Sequence, residues 1–166
     1  MRNSINSVFK YSLKTRKTWW FTAIAKTKAR YARTVLGSFW LGISTLMTVL
    51  CLGFVYGTVF NVSNFKEYFI YLGIGLVIWT PISEAINQAP LIFIKNSNSL
   101  KNSTIKPIFF VCQEWAFQVQ SFFQAFIMVF FVFLILSPGL VLNLFAAPLH
   151  FINLALFVFW LQLLIS

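Results

Sequence analysis

Six side chains in this 166-residue chain carry the chemistry of acids, imidazoles or thiols: Glu67, Glu84, Glu114, His150, Cys51 and Cys112. They are scattered along the sequence. A hydrolase or transferase needs a nucleophile beside a base, paired carboxylates or a metal cluster. No two of these residues sit at such a spacing, and the cysteines are too far apart for a zinc knuckle or a closely spaced disulfide framework. Both cysteines read as buried thiols acting as small hydrophobes. There is no Gly-rich phosphate loop ending in Lys and Ser/Thr, so the chain is expected to bind no nucleotide by that route. A catalytic centre, a metal and a cofactor of its own are therefore not expected; any energy source must come from a partner.

The surroundings of these residues explain why they matter. The chain is 59% hydrophobic and only 10% charged, against roughly 45–50% apolar in an ordinary soluble domain. Between short polar windows run four uncharged or nearly uncharged apolar segments of more than twenty residues each, placed at about 37–60, 68–94, 110–136 and 140–165. At a rise of about 1.5 Å per residue, each is long enough to cross about 30 Å of hydrocarbon. Runs such as Phe126 to Phe133 do not alternate in polarity, which excludes barrel strands and leaves helices. The expected fold is an all-α integral membrane protein, with an amino-terminal interfacial amphipathic helix followed by four transmembrane helices. Residues 1–36 form the basic segment and 37–166 the transmembrane domain. Within spans, an ionisable residue is a functional candidate by default, which singles out Glu84, Glu114 and His150. The two carboxylates are read as partners for Lys95, Lys101 or Lys106, and His150 as an interior polar group near the middle of the fourth span.

The charges set the orientation. Residues 1–36 hold nine of the thirteen Lys and Arg residues and no acid. With four spans, that segment shares a side with Lys95, Lys101 and Lys106, leaving Lys66 alone opposite, so the positive-inside bias predicts a cytoplasmic amino terminus. In the basic segment Trp20, Ile24, Tyr31 and Val35 recur at helical spacing, with Lys26, Arg30 and Arg33 on the other side. That pattern predicts an amphipathic helix lying in the cytoplasmic interface against anionic lipid head groups. Nucleic acid is not an expected partner. In span one Gly53 and Gly57 form a small-xxx-small pair suited to close helix approach. Pro81 predicts a bend or an early end to the second helix, and the stretch from Asn87 to Pro107 has room for a short helix and turns.

The order of residues adds a likeness. Lys28-Ala-Arg-Tyr-Ala-Arg-Thr-Val-Leu-Gly-Ser-Phe-Trp40, then Gly53 to Phe60, Tyr71 to Trp79, Ile82-Ser-Glu84, Ile94-Lys-Asn-Ser-Asn-Ser-Leu-Lys-Asn102 and Ile105-Lys-Pro107 resemble permease subunits of ABC exporters for polysaccharides and polyol phosphates. The likeness covers about residues 19–116 and is closest to the branch that exports lipopolysaccharide O-antigen. It implies a homodimer in the bacterial inner membrane, a cytoplasmic ABC ATPase subunit that binds the ATP, and a lipid-linked glycan as cargo. It also implies a coupling loop at about 89–107, with Ile94, Lys95, Asn98, Leu100, Lys101, Lys106 and Pro107 facing the ATPase. Trp19, Trp20, Arg30, Tyr31 and Arg33 would stand where the glycan comes in from the interface. Members of that family run on through a fifth and sixth span, so an end at Ser166 predicts truncation after the fourth. The competing expectation is a four-span adaptor that holds a partner and transports nothing.

Overall fold

The computed structural model describes residues 2–32, 34, 37–102, 104–136, 139 and 147–166. Among them every regular element is a helix. Two amino-terminal helices, α1 (Arg2–Lys14) and α2 (Arg16–Tyr31), precede α3 (Trp40–Val59) and α4 (Phe65–Gln88). Short helices α5 (Ile92–Lys95) and α6 (Ser97–Asn102) lead to α7 (Ile108–Leu136) and α8 (Ala147–Ile165). Four stretches, Trp40–Val59, Phe65–Lys95, Ile108–Leu136 and Pro148–Ile165, are long and apolar enough to cross a membrane. This is an all-α, multi-pass membrane protein.

Local chemistry sets the boundaries. The end of α3 is a left-handed cap: Asn61 has φ +48°, its N–H donates to Thr58 O at 3.3 Å, and Val62 N–H donates to Gly57 O at 3.1 Å. Those two bonds satisfy carbonyls that the helix would otherwise leave open. Three residues later the Asn64 side chain accepts from Glu67 N–H and starts α4, with Glu67 in its first turn, where the helix dipole favours an acid. Of the two outcomes expected at Pro81, an early end does not occur: α4 continues to Gln88. The break falls at Pro90, inside the 3-10 turn Ala89–Leu91. A proline removes one helix hydrogen bond without stopping the helix when neighbouring helices hold it in place.

The central helix is α7, packed against α2, α3, α4 and α8. Val49 of α3, Phe69, Ile70 and Val77 of α4, and Phe122, Val129 and Phe133 of α7 make the main apolar core. Close approach comes from glycines that seat large side chains. A Cβ at Gly53 would lie 2.8 Å from Phe69 and one at Gly57 would lie 2.5 Å from Phe65, while Gly42 lies beneath Met128 and Gly73 beneath Phe133. The Gly53/Gly57 pair thus joins α3 to α4, as small residues do where lipid supplies no hydrophobic drive between helices.

A second apolar cluster gathers one end of the bundle. Ala89, Ile92, Phe109 and Phe110 are buried there, with Tyr11, Trp19, Phe93, Leu100, Ile105 and Ile165 packed around them. It joins α1, α2, the end of the second span, α6, the start of α7 and the end of α8. α1 was not foreseen in the basic segment. It is tied to α2 by Trp19 Nε1, which donates to Ser12 O at 3.0 Å, and by Thr15 Oγ1, which donates to Tyr11 O at 2.9 Å.

Candidate functional site

The amino-terminal helix meets α7 along its length and in the same direction. Trp19 lies edge-on to Trp115 with centroids 6.0 Å apart, Ala23 packs with Ala116 and Phe117, and Thr27 Oγ1 lies 3.4 Å from Gln120 Oε1. The buried residues of α2 are Ala23, Thr27 and Tyr31; of the expected apolar face Tyr31 packs inside, while Trp20, 40% exposed, is left open beside Phe21, 73% exposed. Lys26, expected on the free side, donates to Glu114 Oε2 in an ion pair and stands 4.9 Å over the Phe117 ring. Arg30 lies 5.4 Å from the same ring and 5.9 Å from that of Tyr31. Alanine and threonine allow the closest helix approach, and a carboxylate on α7 draws the ammonium inward. Val35 and Arg33 lie outside the described residues.

Glu114 therefore pairs with Lys26, and not with Lys95, Lys101 or Lys106 as the sequence suggested. Glu84 lies within electrostatic reach of Arg30, Glu114 and Lys26, which brings ionisable groups of α2, α4 and α7 together. Burial pushes the Tyr31 phenol above its usual value; Arg30 opposes that rise and Glu84 adds to it. His150 is not brought to this cluster. Helix α8 begins at Ala147, which puts His150 in its first turn on an exposed face, not at mid-span. Cys112 is buried, but Cys51 is exposed on α3, against the expectation for both.

Three polar spaces adjoin the cluster. A cavity of about 220 Å³ is lined by Lys26, Gln88, Lys95, Asn96, Gln113 and Glu114 among others, with Lys95 Nζ donating to Gln88 Oε1 at 2.6 Å. A groove of about 400 Å³ between α2 and α7 is lined by Trp20, Ile24, Thr27, Lys28, Gln120, Phe123 and Gln124. Gln120 Nε2 and Gln124 Oε1 have no hydrogen-bond partner among the described residues. The open rings along this groove suit a ligand with apolar C–H faces, which aromatic faces cover. The third space, of about 10 Å³, lies between α3, α4 and α7 around Glu84, Gln118 and Ser121.

These glutamines and Ser121 were missed in the sequence. Their signal was there: Glu114, Gln118 and Ser121 recur at helical spacing through an otherwise apolar span, as do Gln113, Gln120 and Gln124 on the neighbouring face.

The expected coupling residues fall on two surfaces. Ile94 is 69% exposed, and Lys95, Asn98, Lys101 and Pro107 are exposed with it. Leu100 and Ile105 turn into the end cluster, and Lys106 stands 5.2 Å over the Tyr11 ring. Pro107 precedes α7, whose first turn closes through Phe110 N–H donating to Pro107 O at 3.1 Å. Searches against protein-family models, curated proteins and solved structures find no match to this chain.

Proposed function

We propose that the chain is the transmembrane subunit of an ATP-driven exporter that moves a lipid-linked polysaccharide, an O-antigen or similar surface glycan, across the bacterial inner membrane, with its amino terminus in the cytoplasm. The observation that carries the reading is the α2–α7 groove, whose exposed Trp20 and Phe123 flank the unpartnered amide atoms of Gln120 and Gln124. Its α2 wall, Trp20 to Lys28, falls within the stretch whose residues resemble the O-antigen export branch, and its α7 wall lies just beyond that stretch.

Docking of Leu100 supports the coupling role. Helix α6 follows the second span, and its Leu100 enters the cluster that also holds Trp19, Phe109 and Ile165. A displacement of α6 by a cytoplasmic ATPase would thus be passed to α2, α7 and α8 together, because packed side chains transmit displacement with little compression.

The test is reconstitution with a co-expressed ABC ATPase. ATP hydrolysis should rise on adding polyprenyl-linked glycan, and Trp20→Ala or Gln124→Leu should remove that rise while leaving ATPase association intact. Replacing 97–106 by a Gly/Ser linker should abolish association. An ATPase that stays bound to the linker variant would place the contact elsewhere, and glycan-independent hydrolysis would favour a membrane adaptor.

A further inference from the structure

We infer that the cavity between α2, the α4–α5 segment and α7 is a binding site for a phosphate group carrying one net negative charge. The cavity measures about 220 Å³, room for far more than a single water. Nearly half of the surface open to it is polar, contributed by Lys26, Gln88, Lys95, Asn96, Gln113 and Glu114.

Charge decides the sign of the ligand. Lys26 is matched by Glu114 in an ion pair, whereas Lys95 Nζ meets only the neutral Gln88 Oε1, at 2.6 Å. Of the three acids in the chain, Glu114 alone lines this wall. The lining therefore holds one unmatched positive charge, which a monoanion cancels.

Hydrogen bonding decides its shape. An ammonium has three N–H groups, so with one spent on Glu114 and one on Gln88 each lysine keeps two. Asn96 Nδ2 spends one N–H on Ile92 O at 2.7 Å and keeps the other, and Gln113 brings an amide from α7. The donors thus stand on three sides of the space. A tetrahedral oxyanion accepts from three sides, a planar carboxylate in one plane, and lysine serves phosphate as a point charge. Ile92 and Phe110 complete the wall and belong to the end cluster, so the site sits where the basic segment meets the second and third spans. A phospholipid headgroup and free phosphate both offer this chemistry. The Glu114 carboxylate keeps binding weaker than two unpaired lysines would give. The inference is independent of the exporter reading.

The experiment uses the full chain in maltoside micelles, which contain no phosphate, and measures equilibrium binding of tritiated dioctanoylphosphatidylglycerol and of radiolabelled orthophosphate. Saturable binding of one phosphate group per chain is expected. Binding of the lipid alone assigns the site to a headgroup, and orthophosphate that binds and displaces the lipid assigns it to the free ion. Dioctanoylglycerol, with the same tails and no phosphate, should displace neither. Lys95→Gln, at an exposed position, should weaken binding about tenfold, the worth of a charged hydrogen bond, and Gln113→Leu about threefold. Lys101→Gln, which removes the same charge from exposed α6 outside the cavity, should leave it unchanged. Saturable binding of neither probe would overturn the inference and leave the cavity to water. So would binding that Lys95→Gln and Gln113→Leu leave intact, an equal loss in Lys101→Gln, or displacement of the lipid by dioctanoylglycerol.

Discussion

Removing the carboxylate of Glu114 tests whether the amino-terminal helix is held by charge or by packing. The Glu114 side chain is 13% exposed and that of Lys26 40%, which places the pair between two regimes. Fully exposed pairs contribute about 0.2–1 kcal/mol, and breaking a buried one costs about 3–5 kcal/mol. With one partner half in solvent, a coupling of about 1–2 kcal/mol is expected, a factor of about 5–30 in the population of undocked α2. Lys26 also stands over Phe117, adding about 0.5–1 kcal/mol, so Lys26→Met should loosen α2 more than Glu114→Gln does. Hydrogen–deuterium exchange of the Ala23–Tyr31 amides reads the docking directly. Each single variant should speed exchange there, and the double variant should resemble Lys26→Met alone. The swap of Lys26→Glu with Glu114→Lys should restore much of the protection. Effects of the two single variants that add to within about 0.3 kcal/mol would show no coupling and refute the reasoning.

The glycines give a contrasting pair. Gly57→Ala pushes a Cβ to 2.5 Å from Phe65 and should destabilise by about 1–3 kcal/mol, whereas Gly75→Ala meets nothing within 4 Å and should stabilise by about 0.5–1 kcal/mol; thermal unfolding in micelles orders the two. Trp115→Phe removes the Nε1 donor to Ala155 O at 2.8 Å and should cost about 1 kcal/mol, seen as faster exchange in α8 with α3 unaffected. Tyr31 has a raised pKa in the folded chain, so its contribution to stability is complete below its unfolded value of about 10 and is lost as pH rises through the folded one. An ultraviolet phenolate titration should show one tyrosine ionising late, and Tyr31→Phe should abolish that step.

The four spans were legible because uncharged run length is itself the physical requirement for crossing hydrocarbon, and no partner helix is needed to read it. The second helix was legible as a helix, but its contact with α7 was not. Polarity sorts inside from outside where water covers the exterior, yet α2 packs through Ala23 and Thr27 and draws Lys26 inward to a carboxylate 88 residues away in the sequence. His150 was misplaced because the start of α8 depends on Pro148 in its first turn, a position proline prefers, and not on where apolar residues begin. The polar lane of Glu114, Gln118 and Ser121 was concealed by the company it keeps: the span that carries it contains the most apolar 18-residue stretch of the four, with a mean hydropathy of 2.3. Averaging over a window erases the periodic placement that makes such residues informative.

The cap that closes α3 has a bearing on how the chain enters a bilayer. Its N–H groups at Asn61 and Val62 are spent on Thr58 and Gly57, and Asn64 already holds the first turn of α4. A reversal with its polar atoms so engaged sheds little solvent when it passes through hydrocarbon. The first two spans can therefore cross as one prefolded unit, zipped by Phe65 and Phe69 over Gly57 and Gly53. Phe133 of the third span seats on Gly73, adding a third helix to that pair through the same glycine-and-ring contact.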